Sequence, residues 1–156
     1  MPSTSLKDTL QSDLTTAMRS RDELRAATLR MALTAVKAEE VAGKAARELS
    51  DDEVLKVLQK EAKKRREAAE AFDGAGRADT AQRERDELAV IEGYLPTQLG
   101  DEELAVIVDE AVIAATGEGL TGMGAMGAVM TAVRARVAGR ADGGKVAALV
   151  RGRLQG

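Results

Sequence analysis

Apolar residues recur every three or four positions along almost the whole chain, and strict every-second-residue alternation occurs nowhere. That periodicity restricts the fold more than any other feature. Residues at i, i+3 and i+4 share one face of a helix, whereas a half-buried strand needs a period of two. The material for a core points the same way. Among 156 residues there are one Phe, one Tyr and no Trp. The core must therefore be Leu, Val, Ile, Met and Ala. Such side chains suit close helix–helix contact, while sheets favour β-branched and aromatic residues. The expected fold is all-α.

Taken in order, residues 4–20 form a first helix with Leu6, Leu10, Leu14, Ala17 and Met18 on one face. Arg21-Asp22 breaks it. A second helix over 22–42 has one stripe of Leu24, Ala27, Met31, Ala35 and Ala38, another of Leu29, Leu33 and Val36, and a stop at Gly43. Ser50-Asp51-Asp52-Glu53 starts a third helix. Ser50 caps the first turn, Glu53 reaches back as a capping box, and the aspartates complement the macrodipole. This helix runs to about Asp73, with Val54, Leu55, Leu58, Ala62, Ala69 and Phe72 inward. Lys56, Lys60, Lys63, Lys64, Arg65 and Arg66 lie on its outer face, which reads either as a nucleic-acid stripe or, with the interleaved glutamates and preferred here, as a solvated face. Asp79 caps a fourth helix, with Gln82 at the box position, and the helix ends near Gly93-Tyr94. Leu95-Pro96 then requires extended backbone. The expected domains are 1–96 and 97–156. The second holds three helices: one from Gly100 or Asp101 to the glycines at 117, 119 and 122, one over 123–137, and one over 143–154.

Several chemistries are excluded early. Without Cys there is no disulfide, zinc-thiolate site or thiol nucleophile. Without His, the commonest general base and metal ligand is missing. Neighbouring Glu39 and Glu40 diverge by about 100° around a helix and do not converge on a substrate. Asp51, Asp52 and Glu53 are explained by capping. The expectation is no catalytic residue, no metal and no cofactor. The opening MPSTSLKDTL lacks the apolar core of a leader, and no window reaches the roughly 18 apolar residues of a membrane span. A cytoplasmic protein with no membrane partner is expected, and no DNA partner.

Charge is uneven. Residues 101–118 carry six acids and no base, while residues 119–156 carry six bases against the single acid Asp142, a local net of +5. Such a surface attracts an anionic partner unless the acidic helix neutralises it. The pentapeptide Ala-Gly-Arg-Ala-Asp occurs at 75–79 and again at 138–142. Its expected form is a reusable joint, with Gly left-handed after one helix and Asp capping the next. Capping alone explains the first copy.

Several pieces together resemble the GatB/YqeY family. They are Tyr94-Leu95-Pro96 with Gln98-Leu99, Met126-Gly127 through Val129-Met130, and Gly139-Arg140-Ala141-Asp142-Gly143. The N-terminal half is similar as well, through Ala17-Met18, Arg21-Asp22, Leu29-Arg30, Glu53, Lys60, Lys64-Arg65-Arg66, Phe72, Gly76-Arg77 and Asp79. The resemblance implies an N-terminal helical domain and a C-terminal three-helix domain like the tail of the GatB subunit of glutamine-dependent aspartyl/glutamyl-tRNA amidotransferase. That tail helps hold tRNA, and the chemistry occurs elsewhere. The implied function is a non-catalytic accessory protein in translation. Its implied partners are tRNA or another folded RNA, amidotransferase subunits or another protein. The candidate RNA-binding residues are Arg134, Arg140, Lys145, Gly139 and Gly143. Glycines let amides approach a phosphate, and the arginines and lysine add charge. Against this, Gly124 and Gly127 serve tight helix packing, and Gly139 and Asp142 are caps. The alternative function is a helical protein–protein interaction module without RNA binding, docking through the two apolar stripes of the second helix and the N-terminal helices.

Overall fold

The computed structural model describes residues 4–155, so the outermost residues of the two expected domains lie outside it. The described residues are helical, without a strand. They form α1 (Leu6–Arg19), α2 (Glu23–Glu40), α3 (Asp51–Gly74), α4 (Ala78–Glu92), α5 (Asp101–Gly117), a 3-10 turn (Gly122–Ala125), α6 (Met126–Val137) and α7 (Gly143–Gln155). The chain divides into two compact units, Met1–Leu95 and Pro96–Gly156.

In the N-terminal unit, α3 and α4 form the most extensive helix pair, and α1 and α2 form another. The core comprises Leu10, Leu29, Ala32, Val36, Leu49, Val54, Val57, Leu58, Ala62 and Ile91. Most helix starts follow from local chemistry. The Ser5 side chain accepts from Asp8 N, and that of Asp22 accepts from Arg25 N. Ser50 and Glu53 form the complete reciprocal capping box. Arg47 lies 2.6 Å from Glu53. Its guanidinium, together with the Ser50 backbone N–H, holds the Glu53 carboxyl down at about 2.

Four expectations fail in this unit. In α2 the core side carries Ala26, Leu29, Ala32 and Val36, whereas Met31 and Ala38 from the other stripe are exposed. In α3 Arg65 is buried, not on the outer face. Asp79 caps nothing. The N-cap of α4 is Arg77, without a side-chain bond, and Asp79 sits inside the first turn. Gln82 has no box partner there and donates to Asp86 at 2.9 Å.

In the C-terminal unit, α5, α6 and α7 pack pairwise around Leu104, Ile107, Val108, Ala125, Val129, Val133, Val146 and Val150. Its helix over 123–137 is two pieces, because residues 122–125 wind as 3-10 before α6 begins. The tight-packing role expected of Gly124 and Gly127 also fails. A Cβ added at either would meet nothing within 4 Å.

Candidate functional site: the basic C-terminal unit

The five candidate residues fall on the α6–α7 joint and on the body of α6. The joint is locally over-determined. α6 ends with Ala138 at φ +48 and Gly139 at φ +82, both left-handed. The Arg140 guanidinium folds back and donates to two carbonyls of the last turn, Val137 O at 3.2 Å from Nε and Arg136 O at 2.9 Å from Nη2. Those carbonyls have no partner within the helix, so Arg140 works as a C-terminal cap. Asp142 accepts from Lys145 N at 3.1 Å and so caps α7. Gly143 is the first residue of α7 and is exposed. The segment entering α5 is clasped to the same joint. Leu99 N donates to Arg140 O at 2.8 Å, and Gln98 Nε2 to Gly139 O at 3.5 Å.

Electrostatics narrow the site further. Lys145 pairs with Asp101, Arg136 with Glu110 at 2.5 Å, and Arg153 with Asp109 at 2.6 Å. Three of the six bases thus face the acidic helix α5, and Arg140 is engaged by backbone. Arg134 and Arg151 are exposed and have no side-chain hydrogen bond or ion pair among the described residues. Surface pairs such as Lys145–Asp101 contribute about 0–1 kcal/mol, and a phosphate can compete for the lysine.

At the other end of α6 lies the glycine-rich opening. Twelve residues at 1.5 Å rise put it about 18 Å from the joint. The structure therefore separates the two features that sequence places in one stretch. Neither the 3-10 turn nor α6 has a side-chain N-cap, and neither has an acid in its first turn. Gly122, Gly124 and Gly127 are exposed. The Met126 amide that opens α6 donates to Met123 O of the 3-10 turn, and this end of the helix carries the positive end of the dipole.

Three polar groups in the N-terminal unit escape sequence reasoning because each is closed by residues far apart in the chain. Arg65 contacts Glu61 Oε2 at 2.8 Å and Glu87 Oε2 at 3.3 Å, and Arg83 contacts Glu87 Oε1 at 3.3 Å. The Arg65 Nε–Glu87 contact has ion-pair distance but no hydrogen-bond alignment. Tyr94 donates to Asp13 at 2.5 Å and accepts from Arg25 at 3.0 Å. Burial, helped by the Asp13 carboxylate, pushes its phenol up to about 12. Glu40 is buried against Lys7 at 3.0 Å, and that hydrogen bond holds its carboxyl below the ordinary range. All are internal ties between helices. No group of three or more acids among the described residues could hold a metal ion.

Fold and site together define a class: an all-α protein of two helical units, with internal ion clusters and a basic C-terminal face. The chain belongs to the YqeY-like protein family, whose profile matches residues 7–154. It is 35% identical over 138 residues to the altered inheritance of mitochondria protein 41, mitochondrial, of Pyrenophora tritici-repentis, spanning 85% of this chain and 71% of that protein. An uncharacterized protein of Schizosaccharomyces pombe is 34% identical over 92 residues, spanning 58% of this chain and 72% of that one.

Proposed function

We propose that this protein is a non-catalytic accessory protein of translation that holds tRNA or another folded RNA on its C-terminal unit. The observation that carries this reading is the open N-terminal end of α6. Neither α6 nor the 3-10 turn before it has a side-chain cap or an acid in its first turn, and the glycines there have no packing role. That is the arrangement a phosphate needs. Arg134 and Arg151 supply further cations on the same unit. With one Tyr and one Phe in the chain, recognition is of backbone and shape, not base stacking. The relation to glutamine-dependent tRNA amidotransferase, a carbon–nitrogen ligase using glutamine as amido donor, is part of the proposal through the tail-like motifs. Amidotransferase subunits are its expected protein partners, and the chemistry is theirs. The cytoplasm is its proposed site of action. The Pyrenophora relative carries a mitochondrial name, and cell fractionation separates the two locations.

The test is tRNA retention measured across a salt series. Changing Arg134 and Arg151 together to Ala should weaken binding about tenfold and reduce the salt slope by about 2. Changing Arg140 and Lys145 together to Ala should do less, since both already have internal partners. Unchanged retention in the first variant overturns the reading, as does ammonia release from glutamine by the purified protein alone.

A second reading, a helical protein–protein interaction module, is favoured by one face of α5. Val106 is 54% exposed there and Ile113, seven residues on, is 70% exposed. Light scattering over a concentration series distinguishes it. Self-association lost in Ile113→Glu supports this reading, and a monomer throughout removes its self-association form.

A further inference from the structure

Arg21 occupies a backbone position that favours glycine. The turn from α1 to α2 closes with Asp22 N donating to Ala17 O at 2.9 Å and Arg21 N to Met18 O at 3.3 Å. That pair of bonds makes a Schellman ending, whose C′ residue must be left-handed. Arg21 has φ +60. Any L side chain is strained there, and glycine is not. The arginine gains nothing inside the fold in return. Its guanidinium has no hydrogen bond or ion pair among the described residues. A strained residue with no structural return points to a use outside the fold.

The surroundings give that use a chemistry. Arg21, Arg30 and Arg83 line one solvent-open cleft of about 600 Å³. Arg30 also has no side-chain partner among the described residues, and Arg83 shares Glu87 with Arg65. Two acids line the cleft, Asp22 and Glu23. The Asp22 carboxylate is already committed to Arg25 N at 3.1 Å. The cleft's three arginines outnumber its two acids, and the guanidiniums of Arg21 and Arg30 remain open to an anion. The floor is apolar, made by the buried Ala17 and Ala26 with the half-exposed Met18 beside them. The size falls in the range of small-ligand sites.

We propose that this cleft binds a phosphate monoester. The terminal phosphate sits among Arg21, Arg30 and Arg83, and the body of the ligand lies over Met18 and the alanines. A monoester offers three terminal oxygens to three planar forks, where a carboxylate offers two. The monoester is that of a free mononucleotide or of the 5′ end of an RNA. The cleft lies wholly within the N-terminal unit, so it stands or falls separately from RNA binding by α6.

The experiment is an NMR titration of the full, nitrogen-labelled chain with AMP, adenosine, inorganic phosphate, and short RNA with a 5′-phosphate or a 5′-hydroxyl. AMP and phosphate should shift the Arg21 amide and the Arg21 and Arg30 Nε–Hε signals saturably, and adenosine should not. Arg30→Gln should weaken AMP binding at least tenfold, with Arg30→Lys between the two. The decisive variant is Arg21→Gly. It should bind AMP at least tenfold more weakly while melting a few degrees higher, because the strain goes with the guanidinium. Tighter binding of 5′-phosphorylated RNA than of AMP assigns the site to RNA ends, and the reverse order assigns it to a free nucleotide. Shifts that do not saturate, adenosine acting as AMP does, or an Arg21→Gly chain that binds normally or melts lower would each overturn the proposal.

Discussion

The same five residues, Ala-Gly-Arg-Ala-Asp, build two different joints in this molecule. At 75–79 the turn is a Schellman ending: Arg77 N donates to Phe72 O at 2.8 Å and Gly76 N to Asp73 O at 3.1 Å. Gly76 alone is left-handed, at φ +73, while Ala75 stays at φ −90. At 138–142 the left-handed turn begins one residue earlier, at Ala138. The arginines part company too. Arg77 lies over the Phe72 ring at 5.1 Å. The residue equivalent to Phe72 in the second copy is Ala135, so Arg140 has no ring to cover and caps carbonyls instead. The aspartates part company for a reason that lies downstream. Asp79 is followed by Thr80 and Ala81, and α4 starts before it. Asp142 is followed by Gly143 and Gly144, poor helix formers, and α7 starts only where Asp142 can cap it. A pentapeptide thus fixes that the chain turns. Its neighbours fix how.

The largest test of this contrast concerns what holds each joint from outside. The α3–α4 pair has the buried Arg65 between Glu61 and Glu87, with Arg65 only 5% exposed and Glu87 6%. Removing one partner of such a cluster strands the other charges. Arg65→Ala should therefore destabilise the N-terminal unit by about 3 kcal/mol or more. The equivalent outside tie of the second joint is the exposed Lys145–Asp101 pair, and Lys145→Ala should cost under about 1 kcal/mol. Urea unfolding followed by Tyr94 fluorescence reads the first, since the only tyrosine sits in that unit. Amide exchange in α7 reads the second. Equal losses would erase the distinction between a joint held by a buried charge cluster and one held by caps.

Next in size are the aspartates. Asp142→Ala removes a real N-cap and should cost about 1 kcal/mol, with faster exchange at the Lys145 amide. Asp79→Ala removes only a first-turn charge and should cost under about 0.5 kcal/mol. Comparable costs would mean that Asp79 caps after all.

These two positions also show what was legible in the sequence. Features whose partners lie within a turn of each other could be read directly. The Ser50–Glu53 box, the Asp142 cap, the helical periods and the all-α fold are of this kind. Features decided by another helix could not. Arg65 stands in one basic run with the solvated Lys63 and Lys64, and its Glu61 four residues before it is the ordinary pairing of an exposed helix face. Its burial depends on Glu87. Met31 continues an apolar stripe yet is 43% exposed, because α2 turns Ala32 and Val36 inward. In the candidate site, the pairings of Lys145 with Asp101 and Arg153 with Asp109 each span 44 residues. Sequence could give the opposite charges of the two stretches but not which cations remained unpaired, and those are the ones the RNA proposal rests on.

The smallest effect is the sharpest in sign. Ala138 holds φ +48 without being glycine, so Ala138→Gly should stabilise the C-terminal unit by about 0.5 kcal/mol as the strain is released, net of the greater freedom of the unfolded chain. Ala75→Gly, at an ordinary φ, has no strain to release and should destabilise by a similar amount. Two identical substitutions, at the same place in the same pentapeptide, would then move stability in opposite directions. A loss at both positions, measured by amide exchange in each unit, would mean that the left-handed Ala138 carries no strain. The difference between the joints would then lie in their caps and ion pairs alone.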